Sequence, residues 1–262
     1  MNTLSLWAGD SATMLRRNLK HMLRYPSVTL LLVGMPIVLL LLFVYVFGET
    51  LGAGLGASGG RGAYADYVAP GIILLTVAAV AQGTSISVAM DMTGGIISRF
   101  RTMAISRASV LTGHVLGAIT QTMLAVAVVI LVALLVGFRP EASLSEWIAA
   151  FGVLVMISWA ITWLTVALGL LTRSVEAASN LPMPLMLLPF FGSGFVPTDS
   201  MPAALRLFAE YQPFTPFIET LRGLLLGTPI GNSAAISVVW CAGITLVGFL
   251  WARALFNRDP IR

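Results

Sequence analysis

One lysine, two histidines and one cysteine are all that the 262 residues hold of three side chains on which much enzyme chemistry draws. Cys241 lies inside an apolar run, which excludes a disulfide framework or a thiolate metal site. His21 and His114 have no second His or carboxylate at ligand spacing, so a metal centre is not expected. The single lysine, Lys20, follows Arg16, Arg17, Asn18 and Leu19 rather than a Gly-x-x-x-x-Gly lead, so there is no phosphate-binding loop and no ATP hydrolysis by that route. No nucleophile elbow or His-Glu-x-x-His pattern occurs, which weighs against a membrane-embedded enzyme or an immunity factor. Charged residues make up only 10% of the chain, and the long apolar runs are charge-free inside, where ion-coupled carriers keep ionisable groups. Asp66, Asp91 and Glu176 fall at the ends of those runs and read as residues of the water interface. A net charge of +4 is small for a nucleic-acid binder, and no nucleic acid is expected as a partner.

What the chain does hold is apolar length. With 58% hydrophobic residues and a mean hydropathy of +0.92, an ordinary water-facing surface is ruled out and an integral membrane protein is expected. Windows long enough for a hydrocarbon core of about 30 Å follow one another at Ser27 to Phe47, Tyr67 to Met90, Val115 to Phe138, Trp147 to Thr172, Ala177 to Thr198 and about Asn232 to Ala252. Six spans are predicted, the fifth interrupted by Pro182, Pro184 and Pro189 and open to a re-entrant path. Six spans put Arg16, Arg17, Lys20, Arg24, Arg99, Arg101, Arg107, Arg173, Arg253, Arg258 and Arg262 on one side and leave Arg61, Arg139, Arg206 and Arg222 on the other. The basic side is cytoplasmic by the positive-inside rule, and with it both termini. The first apolar run is too long for a cleaved signal and lacks a small-residue cleavage site, so it is read as a retained helix.

The connections carry the remaining information. Residues 1–26 interleave Leu4, Trp7, Leu15, Leu19, Met22 and Leu23 with basic side chains and read as an N-terminal amphipathic interfacial segment; 27–254 is the transmembrane domain and 255–262 a cytoplasmic tail. From Asp91 to His114 a basic polar stretch sets Ile96, Ile97, Phe100 and Met103 at helical spacing among Arg99, Arg101 and Arg107, after a Gly94–Gly95 hinge. That pattern is a short amphipathic helix at the membrane face, suited to docking a soluble partner. Gly48 to Gly62 reads as a mobile Gly-rich loop, and Phe138 to Glu146 as a short turn in which Ser143 or Ser145 caps the next helix. Residues 197–227 read as an outer helical hairpin: Thr198 and Asp199 as cap, a first helix to Tyr211, a stop at Pro213 and a second helix over Phe217 to Leu226. Arg206, Glu210, Glu219 and Arg222 are assigned to its polar edge, with Glu219 and Arg222 spaced to pair.

Two runs carry a resemblance. GGIISRFRTMAISRASVLTGH is similar to the cytoplasmic signature of type-2 ABC (ABC-2) exporter permease subunits, in the daunorubicin-resistance-type branch, and FVPTDSMPAALRLFAEYQPFTPFIETLRGLLLG resembles the outer hairpin of the same family. Ala104 departs from the family pattern, where Pro is expected. The resemblance covers essentially the whole chain and implies an all-α, polytopic type V (ABC-2) exporter fold: six transmembrane helices, the N-terminal interfacial helix, a cytoplasmic coupling helix within 91–113 and the outer re-entrant hairpin. It implies a permease that dimerises, most simply as a homodimer, and binds a separate nucleotide-binding ATPase subunit that carries ATP and Mg, with no cofactor bound by the permease itself. Gly95, Ile96, Arg99, Phe100, Arg101 and Met103 are then the ATPase-coupling residues. The implied activity is outward movement of hydrophobic or amphipathic drugs or lipids across the cell membrane; export of a lipid-linked polysaccharide is the alternative within the same architecture.

For the cargo path, aromatic and Met side chains of three spans are the candidates, since such side chains adapt to flat or lipidic molecules. Met35, Phe43, Met186, Phe190 and Phe191 head the set, with Tyr45 and Met183 beside them. Ordinary helix-packing or lipid-facing surface is the competing reading of each. Gly192 and Gly194 are expected to permit close helix approach or a break.

Overall fold

The computed structural model describes residues 26–54, 60–94, 107–172 and 174–257, without the side chains of 26–31, 107–110 and 257. Every regular element among them is helical. Helix α1 (Pro26–Leu41) starts on a proline, which suits a first turn that needs no N–H donor. It runs without interruption into a π-helical turn, Leu42–Phe47, and on into α2 (Gly48–Ala53). The Gly-rich stretch after the first span is therefore helical at both edges, over 48–53 and from Arg61 onward, because Leu51 and Gly52 pack back on the next helix while its middle, 55–59, lies outside the described residues.

Helix α3 (Arg61–Thr93) is the axis of the domain. At 33 residues it is roughly 50 Å long, and 78% of its most apolar window is buried by protein. Helices α4 (Arg107–Val136) and α5 (Leu144–Leu171) pack on it. Ser143, not Ser145, caps α5: its hydroxyl accepts from the Glu146 N–H while the Glu146 carboxylate accepts from the Ser143 N–H, a reciprocal capping box. Small residues set the close approaches, as expected where lipid gives no hydrophobic drive between helices. A Cβ on Gly169 of α5 would stand 2.6 Å from the Ser85 carbonyl oxygen of α3, and one on Gly71 would stand 2.7 Å from the Gly194 carbonyl oxygen.

After α5 the chain is broken into α6 (Val175–Asn180), α7 (Met183–Leu187) and a 3-10 turn at Leu188–Phe191. Five helices among the described residues are long and apolar enough to cross a membrane: Leu32–Ala53, Arg61–Thr93, Leu111–Val136, Leu144–Leu171 and Ser233–Phe256. The predicted fifth window, Ala177 to Thr198, is not a sixth such helix, because Pro182, Pro184 and Pro189 each remove a backbone donor within eight residues. It still covers distance. Ser179 meets Gln82 and Phe195 meets Tyr64, so the broken segment runs antiparallel to α3 along roughly 27 Å of its length at 1.5 Å per residue.

The hairpin region corrects the sequence reading in three ways. Thr198–Ser200 forms its own 3-10 turn instead of capping α8 (Ala203–Tyr211), whose N-cap is Pro202 with no side-chain bond. Helix α9 begins three residues early, spanning Phe214–Leu226 and ending at Gly227 with φ of 69°. And α9 does not lie at an edge: Phe214, Phe217, Ile218 and Leu221 are wholly buried against α3, α5 and α10 (Ser233–Asn257), while α8 exposes Leu207, Phe208 and Tyr211. Two apolar clusters result. A large one gathers α1, α3, α4, α5 and α9 around Tyr64, Phe138, Phe214 and Phe217; a small one at the Asp91 end of α3 joins Val88, Leu111, Val115, Trp163, Val166 and Phe256. The N-terminal segment 1–25 and the tail from 258 lie outside the described residues.

Candidate functional site

A break in a membrane-embedded helix leaves carbonyl groups without helical partners, and in lipid nothing else will take them. Here four side chains from elsewhere do. Gln82 Nε2 of α3 donates to Ser179 O at 2.6 Å, and Gln212 Nε2, at the α8–α9 corner, donates to Leu188 O at 3.3 Å. Arg222 Nη2 of α9 donates to Ser193 O at 2.7 Å, and the Tyr64 hydroxyl donates to Phe195 O at 3.2 Å. The same Nη2 reaches Tyr67 O at 3.0 Å, Nη1 meets Glu219 Oε1 at 2.7 Å, and the guanidinium lies 4.0 Å from the Tyr67 ring centroid. Arg222 is 6% exposed. The Glu219–Arg222 pair is therefore as spaced in sequence, but Arg222 faces inward instead of lying at a polar edge, because its guanidinium replaces water for two backbone carbonyls and a carboxylate.

The second irregular element faces the first. The π turn carries Phe43 to within 4.7 Å of the Phe195 ring, which stacks on Phe190 at 4.4 Å and 7°. Phe43 and Phe190 are 6.5 Å apart. Wide turns and broken helices are tolerated at such depth where they are buried or line a path, and they recur at functional sites. Of the predicted path residues, Phe43 and Phe190 are brought together and Met186 packs half-buried on the same cluster. Met35 and Tyr45 point outward, 55% and 52% exposed, as does Met183, and Phe191 turns away to meet Phe208 of α8 at 6.3 Å. Sequence reasoning missed Phe195 and Tyr64; the signal was there in Gly192 and Gly194, which flag a turn that exposes the carbonyls around Phe195. A separate open apolar groove of about 470 Å³ lies between α5 and α10, lined by Met156, Trp159, Cys241 and Phe249 among others, and shares no residue with the Phe43, Phe190 and Phe195 cluster.

At the other end of α3, Asp91 and His114 are paired, Nε2 to Oδ2 at 3.1 Å, with side chains only 13% and 7% exposed. His114 is thus not isolated and Asp91 is not an open water-interface residue: two helices bring together groups 23 positions apart. Gly95, Ile96, Arg99, Phe100, Arg101 and Met103 lie outside the described residues. On α8, Arg206 bridges Glu210 at 2.7 Å and Asp199 at 2.8 Å in the open; the Glu210 hydrogen bond and both carboxylates raise its pKa above the ordinary arginine value. Among the described residues no cluster of His, Cys, Asp and Glu could hold a metal ion.

A family model described as ABC-2 type transporter matches residues 11–226. The chain is 26% identical over 245 residues, 90% of its own length and 83% of the relative's, to the daunorubicin resistance ABC transporter permease protein DrrB1 of Streptomyces coeruleorubidus. It is 26% identical over 153 residues, 58% of this chain and 55% of the relative, to the probable doxorubicin resistance ABC transporter permease protein DrrC of Mycobacterium tuberculosis. Nodulation protein J of Rhizobium leguminosarum bv. viciae is 28% identical over 230 residues, 84% of this chain and 85% of the relative.

Proposed function

Since the chain belongs to the ABC-2 type transporter family, we propose that it is the permease subunit of an ATP-driven exporter that moves hydrophobic or amphipathic drugs outward across the cytoplasmic membrane. ATP and Mg sit on a separate nucleotide-binding subunit, in keeping with a sequence that holds no phosphate loop of its own. Two copies of the permease make the path, both termini face the cytoplasm, and the Asp91 end of α3 is the inner end. Gly95, Ile96, Arg99, Phe100, Arg101 and Met103 seat against the ATPase, Phe100 as an apolar anchor and the arginines as partners for its carboxylates.

The observation that carries this reading is the similarity along 90% of the chain to a permease named for daunorubicin resistance. That name favours a drug over a lipid-linked polysaccharide. The Phe43, Phe190 and Phe195 rings, where two irregular helices meet, are suited to a flat apolar cargo. The test is Arg101→Glu in the permease co-expressed with its cognate ATPase. Loss of ATPase co-purification, together with loss of daunorubicin uptake by inverted vesicles, is expected. An intact complex with wild-type uptake overturns the docking assignment, and no uptake by the wild-type pair overturns the drug reading.

A further inference from the structure

We propose that Asp91 and His114 are positioning residues that clamp the Asp91 ends of α3 and α4 into one rigid body, so that a push from the ATPase on the chain between them moves both helices together. This rests on the docking reading of residues 95–106 given above. The contact is well placed for it. Asp91 lies three residues before the Gly94 cap that ends α3, and His114 two turns into α4, so the pair closes the neck from which the intervening chain leaves and returns. His114 Nε2 stands 3.1 Å from Asp91 Oδ2, with both side chains largely buried.

Towards its other end α3 is tied by hydrogen bonds to the broken segment and to α9, while apolar side chains pack it against α4, which fixes distance but allows small sliding. A buried polar pair adds little net stability and a good deal of register, since sliding one helix along the other pulls the two groups apart. The apolar cluster at this end is the smaller of the two, with Val88 on α3 facing Leu111 and Val115 on α4.

The experiment places spin labels at Met90→Cys, 53% exposed, and Thr120→Cys, in a Cys241→Ser background, in the permease–ATPase complex. The wild-type label distance is expected to stay the same with and without ATP. In His114→Leu it is expected to shift and broaden when ATP is added, while His114→Gln, which keeps an N–H donor, follows the wild type. The swapped pair Asp91→His/His114→Asp is expected to restore the single distance. A wild-type distance that itself changes with ATP, or a His114→Leu distance that does not, overturns the clamp. Where His114→Leu fails to assemble, the swapped pair decides: one distance supports the clamp, two overturn it. Docking is read separately, by ATPase co-purification with Arg101→Glu, so either idea can fail without the other.

Discussion

Helix α10 and the broken segment 175–198 are equals in the sequence, two apolar windows of membrane length, and opposites in the structure. The most apolar window of α10 is only 17% buried by protein, its Val239 is 71% exposed, and its backbone is satisfied within the helix. The broken segment has shed much of its own helical bonding, and Gln82, Gln212, Arg222 and Tyr64 supply donors from three other places. The lesson is that apolarity selects a membrane, while proline and glycine select whether the segment closes its own hydrogen bonds or borrows them.

Three substitutions probe that contrast. Arg222→Met removes donors from Ser193 and Tyr67 and strands Glu219; it is expected to cost about 3 kcal/mol, seen as a lower thermal midpoint in detergent and loss of monodisperse protein. Gln82→Leu leaves one carbonyl unmet and is expected to cost about 1 kcal/mol by the same measurement. Val239→Leu on the lipid-facing side of α10 is expected to stay within about 0.5 kcal/mol of wild type. If all three behave alike, the distinction between a borrowed and a self-sufficient backbone is wrong. Arg222→Lys sharpens it, because a single ammonium cannot reproduce the fork that reaches Glu219, Tyr67 and Ser193 at once.

Local rules made part of this legible. The five long helices follow from apolar windows, the capping box at Ser143 from a Ser-x-x-Glu spacing, the Glu219–Arg222 pair from positions three apart, and the break from three prolines. What stayed hidden was non-local. Nothing near Gln82 in sequence names Ser179 as its acceptor, 97 positions on, and nothing near Arg222 names Tyr67, 155 positions back. Asp91 and His114 bounded the very stretch that drew attention, yet each was read alone because their meeting depends on how α3 and α4 lie side by side. The aromatic and Met candidates divided for a related reason: Phe43 and Phe190 lie 6.5 Å apart while Met35 faces outward, and which of them meet depends on how the first span lies against the broken segment.

Along the first span a single step of three, Val33 to Pro36, is followed by Leu40, Val44, Gly48 and Gly52, all buried and each four residues after the last. A regular α-helix would drift about 40° with each such step, and the wide turn at Leu42–Phe47 takes up the excess. The first span is in effect tuned to a slower rhythm than its neighbours. It should accept exchanges of like for like anywhere along that row, yet gaining or losing one residue beside the turn would swing Phe43 off its aromatic partners and present lipid-adapted side chains to the protein.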